Sequence, residues 1–168
     1  ETSTLCLIPM IKAVVNIPVI AAGGIGSGKS MLACFALGAD AVQIGSAFAI
    51  AEESSAHSNF KEKIISSAEG DTKLRMKKLV PVRLLKNEFA DIVAQAEAEG
   101  ANTEKLRAIL GRARAKLGMF EGDMEQGELE IGQVSAMLNE IKPAAEILKE
   151  IWEEFLIEKN RIESLNFN

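Results

Sequence analysis

The first fifty residues switch repeatedly between two apolar patterns. TLCLIPMIKAVV (4–15) has its apolar residues at helical spacing, and IPVIAAGG (17–24) is a continuous apolar run ending in glycines. GKSMLACFALGA (28–39) returns to helical spacing with Gly38 as a candidate closing residue, and DAVQIGSAF (40–48) reads as a second buried strand. Strands apolar throughout, alternating with helices, predict a parallel sheet covered on both faces. Past residue 50 the strands largely stop. SNFKEKIISSA predicts a helix capped by Ser58 or Asn59. TKLRMKKLVPVRLL (72–85) alternates weakly, is interrupted by Pro81, and reads as an irregular or edge segment. NEFADIVAQAEAEG, NTEKLRAILGRARAKLG, EIGQVSAMLNEI and PAAEILKEIWEEFLIEK then predict helices, the last opened by Pro143, whose missing N–H costs nothing there. NRIESLNFN reads as a frayed tail.

Composition narrows the class of protein. The 168 residues are 48% hydrophobic and 26% charged, with a net charge of −5, which suits a globular chain with one modest core. Mild acidity argues against nucleic acid as the main partner, because phosphate neutralisation needs clustered Lys and Arg. No signal peptide is visible, and no apolar run reaches the roughly 18 residues of a membrane helix. Cys6 and Cys34 lie in apolar stretches and read as buried free thiols, which suits a reducing cytoplasm. The chain opens on Glu1 and runs almost at once into a helical pattern, so it reads as cut from something longer.

The stretch GGIGSGKS (23–30) carries the chemistry. Letter by letter it fits the phosphate-binding loop of ATP- and GTP-using proteins, placed between a strand and a helix. Such a site also needs an acidic residue at the end of another apolar strand to help hold Mg²⁺. Asp40 precedes its strand and Asp91 sits inside a helical pattern, so that partner is missing and a P-loop nucleotide hydrolase is the weaker reading. The other reading uses two loops together. AAGG and QIGS end consecutive strands with one helix between them, a single β/α repeat that sets two glycine turns side by side at the strands' C-terminal ends. In (β/α)₈ barrels the loops after strands seven and eight commonly form a phosphate site. The two turns can grip one phosphate with the Ser46 hydroxyl as an extra donor, and Lys29 then points outward with no catalytic role.

These residues carry a resemblance. GG-I-x-x-G followed by ALGAD-x-V-x-IGS is similar to the end of several FMN-dependent (β/α)₈ barrels, including inosine-monophosphate-dehydrogenase-like ones. The continuation AIAEESSAHSNFKEKI, and the later IGQVSAMLNEIKPAAEILKEI, resemble the nitronate monooxygenase family and its sister group, the flavin-dependent enoyl-acyl-carrier-protein reductases. The resemblance covers most of residues 1 to about 155 and corresponds to the second half of a full-length member. The fold it implies is α/β: residues 1–50 as the last two strands of a TIM barrel, 51–156 as a mostly helical segment of the same enzyme, and 157–168 as a tail.

The resemblance also implies roles. Gly24 supplies a backbone N–H to the FMN phosphate, Gln43, Ile44, Gly45 and Ser46 form the second phosphate-binding loop, and Gly23 allows close approach. The family's catalytic His lies in a Gly-His-x-Gly-like segment expected just before Glu1, so no catalytic residue and no metal ligand is assigned here, and the chain alone is expected to be inactive. His57 reads as a surface or packing residue, Gln133 as a helix start, and Lys73, Arg75, Lys77, Lys78, Arg83 and Lys86 as a solvated basic face. The implied reaction is oxidation of an alkyl nitronate by O₂ through FMN in the cytoplasm. The alternative is NAD(P)H-dependent reduction of an enoyl thioester. The partner is a small-molecule substrate, not nucleic acid or membrane, and a homo-oligomer is left open.

Overall fold

The computed structural model describes residues 2–166 and divides into two compact units, Glu1–Glu52 with Lys142–Asn168, and Glu53–Ile141. The first unit begins with helix α1 (Thr4–Lys12), strand β1 (Ile20–Ala22), helix α2 (Gly28–Ala36), strand β2 (Ala41–Gln43) and the short helix α3 (Ser46–Ala49). Strands β1 and β2 pair in parallel, Ile20 with Ala41 and Ala22 with Gln43, as the apolar runs and the intervening helix predict. Gly38, at φ +102°, follows the last turn of α2 and lets the chain reverse into β2. Asp40 then closes the repeat by accepting hydrogen bonds from the Val19 N–H at 2.8 Å and Lys12 Nζ at 2.6 Å. Its core is small: Ile8, Ala21, Ile25, Cys34 and Ala39. Cover on both faces is not found, because Ile20 is 63% exposed while Ala21, on the opposite face, is buried.

The first unit is completed by helix α8 (Ala144–Glu163), which packs closely along α2. The tail expected from residue 157 is therefore helical through Glu163. Its apolar spacing continues through Ile162, and Lys159–Glu163 and Arg161–Glu158 pairs support the last turns. Among the described residues, those from 142 onward group with residues up to 52 and not with the segment between them.

The second unit holds helix α4 (Ser58–Ile65), strands β3 (Thr72–Arg75) and β4 (Val82–Leu85), helices α5 (Glu88–Ala98), α6 (Thr103–Leu110) and α7 (Arg114–Met119), and a 3₁₀ turn at Gln133–Met137. Three expectations change here. Residues 72–85 are an antiparallel hairpin, Thr72 opposite Leu85 and Arg75 opposite Val82, and Pro81 sits just outside β4, where it removes no ladder bond. The single helix expected over 102–118 breaks at Gly111 (φ +65°) and Ala113 (φ +57°). The helix expected over 130–141 shrinks to the 3₁₀ turn, because Glu130 bridges to Leu84 and Ile131 donates to the Arg83 carbonyl, extending the hairpin. Met76, Leu84, Phe89, Val93 and Leu106 form the centre of this unit's core.

Candidate functional site

Pairing of Ala22 with Gln43 ends β1 and β2 at the same level, so Gly23–Gly24 leave one strand beside the point where Ile44–Gly45 leave the other. Gly23 and Gly24 have φ of +91° and +76°, a region where a side chain is strained. The Gly23 carbonyl accepts from Thr4 Oγ1 at 3.0 Å, tying the turn to the start of α1. Both glycines are exposed, and a Cβ added at either would meet no atom within 4 Å. Gly45 is equally open, yet its φ is −106°, which any residue tolerates. Neither backbone conformation nor packing within the chain asks for glycine at 45. Gln43 ends β2 exposed, Ile44 is half-buried against the small core, and Ser46 is half-buried as the first residue of α3. The six residues singled out from the sequence thus occupy two neighbouring turns.

The rest of GGIGSGKS serves another purpose. Ser27 and Ser30 cap α2 reciprocally: the Ser30 N–H donates to Ser27 Oγ at 3.2 Å, and the Gly26 and Ser27 N–H groups donate to Ser30 Oγ at 3.2 and 3.0 Å. The next two N–H groups, of Gly28 and Lys29, point at Glu154 Oε2 on α8, at 2.6 and 3.4 Å. Lys29 Nζ lies 3.5 Å from Glu154 and 3.6 Å from Glu158. The backbone donors and the lysine that a P-loop would turn toward a triphosphate are engaged by the chain's own groups. Gly28 is a packing glycine: a Cβ there would stand 2.2 Å from the Phe155 N and 2.5 Å from the Ile151 carbonyl oxygen. Nothing in the local sequence signalled Glu154, which lies more than a hundred residues away.

The remaining candidates have structural employment. His57 Nδ1 accepts from the Asn59 N–H at 3.1 Å, so His57 is the N-cap of α4 in place of the expected Ser58 or Asn59. Its ring lies against Gly122, where a Cβ would come within 2.4 Å of Nδ1. Gln133 opens the 3₁₀ turn. In the basic hairpin, Arg75 pairs with Glu97, Lys86 with Asp71, Arg83 donates to the Thr72 carbonyl and Lys78 to that of Ala101. Cys34 is buried and burial raises its thiol pKa, whereas Cys6, expected buried, is exposed on α1. Sequence reading passed over Glu128. It is only 6% exposed, and burial, with Glu130 adding to it against the opposing pull of Arg114, pushes its carboxyl up to about 7.

A profile of the nitronate monooxygenase family matches residues 1–154. The chain belongs to the nitronate monooxygenase family. It is 36% identical over 154 residues to a probable nitronate monooxygenase of Staphylococcus aureus (strain JH9), a match covering 88% of this chain and 41% of the relative. Among solved structures, it is similar to FabK from Thermotoga maritima, with a TM-score of 0.89 and 38% identity over 97% of this chain and 52% of that one. It is also similar to the nitroalkane oxidase of Streptomyces ansochromogenes, with a TM-score of 0.75 and 28% identity over 95% of this chain and 45% of that one. The chain thus spans about half the length of the family relatives it matches. No helix among the described residues is long and apolar enough to cross a membrane.

Proposed function

We propose that residues 1–52 supply the last two strands of a (β/α)₈ barrel whose paired turns, Gly23–Gly24 and Gln43–Ser46, hold the phosphate of FMN. The observation that carries this reading is Gly45. Its φ and its open surroundings leave glycine without an internal reason, and a group approaching the backbone closely provides one. The residues suit a phosphate: exposed main chain with no side chain in front lets an anion reach N–H groups from two turns. FMN when bound supplies the redox chemistry, and the part of this chain is to anchor the cofactor's phosphate end.

Membership of the family supports oxidation of an alkyl nitronate by O₂ as the reaction of the full-length protein. The similarity to FabK favours a second reading, reduction of an enoyl thioester with NAD(P)H. Nitronate-dependent oxygen uptake without NAD(P)H supports the first. NAD(P)H oxidation that requires an enoyl thioester supports the second. For the phosphate site itself, Gly24→Val and Gly45→Val should each abolish retention of FMN through purification, read from the flavin absorbance. A variant with full flavin occupancy would refute the assignment.

A further inference from the structure

The helix that follows the first glycine turn is held from outside by a residue near the end of the chain. Glu154 Oε2 accepts from the Gly28 N–H at 2.6 Å and the Lys29 N–H at 3.4 Å, and Lys29 Nζ sits 3.5 Å from Oε1 of the same carboxylate. One turn further along α8, Glu158 takes the other side of Lys29 at 3.6 Å. Glu154 cannot slide, because the α2 backbone is in direct contact with α8 at Gly28, and Phe155 packs edge-on to Phe35 with ring centroids 5.7 Å apart. The Ser27–Ser30 box locks the residues just before it. The segment 26–30 therefore has fixed ends and fixed direction, and only Ile25, itself buried, separates it from Gly24.

We infer that Glu154 is a positioning residue for the cofactor phosphate: it fixes the start of α2 and so holds the Gly23–Gly24 turn in place for the anion. It also closes the α2 N-terminus to that anion, so the phosphate is held by the two turns and not by the helix end. The inference rests on the phosphate site proposed above. Two effects of the carboxylate oppose each other. Its hydrogen bonds order the turn, which strengthens phosphate binding; its charge repels the phosphate, which weakens it. The geometry favours ordering, because the charge is partly neutralised by Lys29 and by the α2 N-terminus it caps.

The test uses the protein at its full natural length as apo-protein, with FMN and riboflavin as probes and flavin fluorescence as the readout. Riboflavin lacks the phosphate and reports everything else. Glu154→Ala should weaken FMN binding about tenfold, the scale of one lost charge-assisted anchor, and leave riboflavin binding unchanged. Glu154→Gln keeps an acceptor oxygen and should restore FMN binding to within about twofold of wild type, since most of the ordering is retained. The ³¹P resonance of bound FMN should broaden or shift in Glu154→Ala alone. Equal losses for both flavins would mean general destabilisation, and tighter FMN binding in both variants would mean that only charge acts; either overturns the positioning role. If wild type binds FMN no more tightly than riboflavin, the phosphate site fails and the inference falls with it. If wild type prefers FMN and Glu154→Ala matches it, the site stands and only the inference falls.

Discussion

The two units bury their apolar residues to very different degrees. In the second unit Phe60, Ile64, Leu84, Leu85, Phe89, Val93, Leu106 and Leu129 are all at most 1% exposed. In the first, Leu5, Met10, Val14, Ile17, Ile20, Leu148 and Trp152 are each at least half exposed, and an apolar groove of about 210 Å³ opens among Met31, Val42, Ile44, Phe48, Leu148, Ile151 and Trp152. The contrast is one of architecture. A hairpin wrapped by short helices can close a core within ninety residues or so. A single parallel β/α repeat cannot, because its two strands leave both sheet edges without a neighbour. The second unit is therefore organised around its own interior, whereas the first presents surface of the kind that other structure covers.

The sharpest way to break this contrast is to empty the second unit's core. Phe89 is 1% exposed and its ring carries the Arg114 guanidinium at 4.5 Å, so Phe89→Ala should cost about 3–5 kcal/mol of that unit's stability, measured by urea unfolding. A loss below about 1 kcal/mol would show that this core is loosely built. The first unit should fail through one contact. Gly28→Ala drives a Cβ to 2.2 Å from the α8 backbone and should cost about 1–3 kcal/mol by overpacking, visible as an earlier thermal transition with the second unit's transition unmoved. If both transitions shift together, the two units do not melt separately.

Acid and base sharpen the comparison next. Glu128, buried in the second unit, has its pKa raised from 4.5 to about 7. The folded state holds this proton more tightly than the unfolded state, so the contribution is fully present below pH 4.5 and is lost as pH rises through about 7. Glu128→Gln should remove that fall, and the variant should gain on wild type by on the order of 2 kcal/mol at pH 8 relative to pH 4.5. Asp123, in the same unit, acts in the opposite sense: hydrogen bonds from the Gln126 and Glu125 N–H groups lower its pKa, so its contribution is lost as pH falls. The difference between wild type and Glu128→Gln isolates the one group. A parallel pH profile for the two proteins would contradict the assignment. The smallest effect belongs to the exposed face of the first unit. Val14→Ser and Ile17→Ser remove side chains that are 77% and 67% exposed, so stability should change by less than about 0.5 kcal/mol. The 168-residue chain is expected to self-associate through this face, and that association, read by sedimentation, should weaken in both variants. Unchanged association would mean that a different surface drives it.

The same contrast explains what could be read in advance. The β/α/β repeat was legible because its signals are local: a run of apolar residues, a glycine turn, a helical spacing, repeated in order over forty residues. The hairpin at 72–85 was not, because its alternation is weak and its stability comes from cross-strand pairing and from the bonds that Leu85 and Arg83 make with Leu129 and Ile131. The dissolved helix at 130–141 belongs to the same class, since pairing of Glu130 and Ile131 with the hairpin outcompeted helical propensity; the break at 111–113 is local, at a glycine in positive φ.

What the sequence determined by itself is the order of strands and helices in the first fifty residues, the two glycine turns and their spacing, and the kinship those residues display. What only the tertiary structure decided is the meaning of GGIGSGKS. Its first two glycines face open space, while Gly28, Lys29 and Ser30 are occupied by α8 and by the local cap. The physical reason is distance along the chain. A turn's conformation is set by the residues within it, but whether its N–H groups remain available depends on a carboxylate brought there by folding.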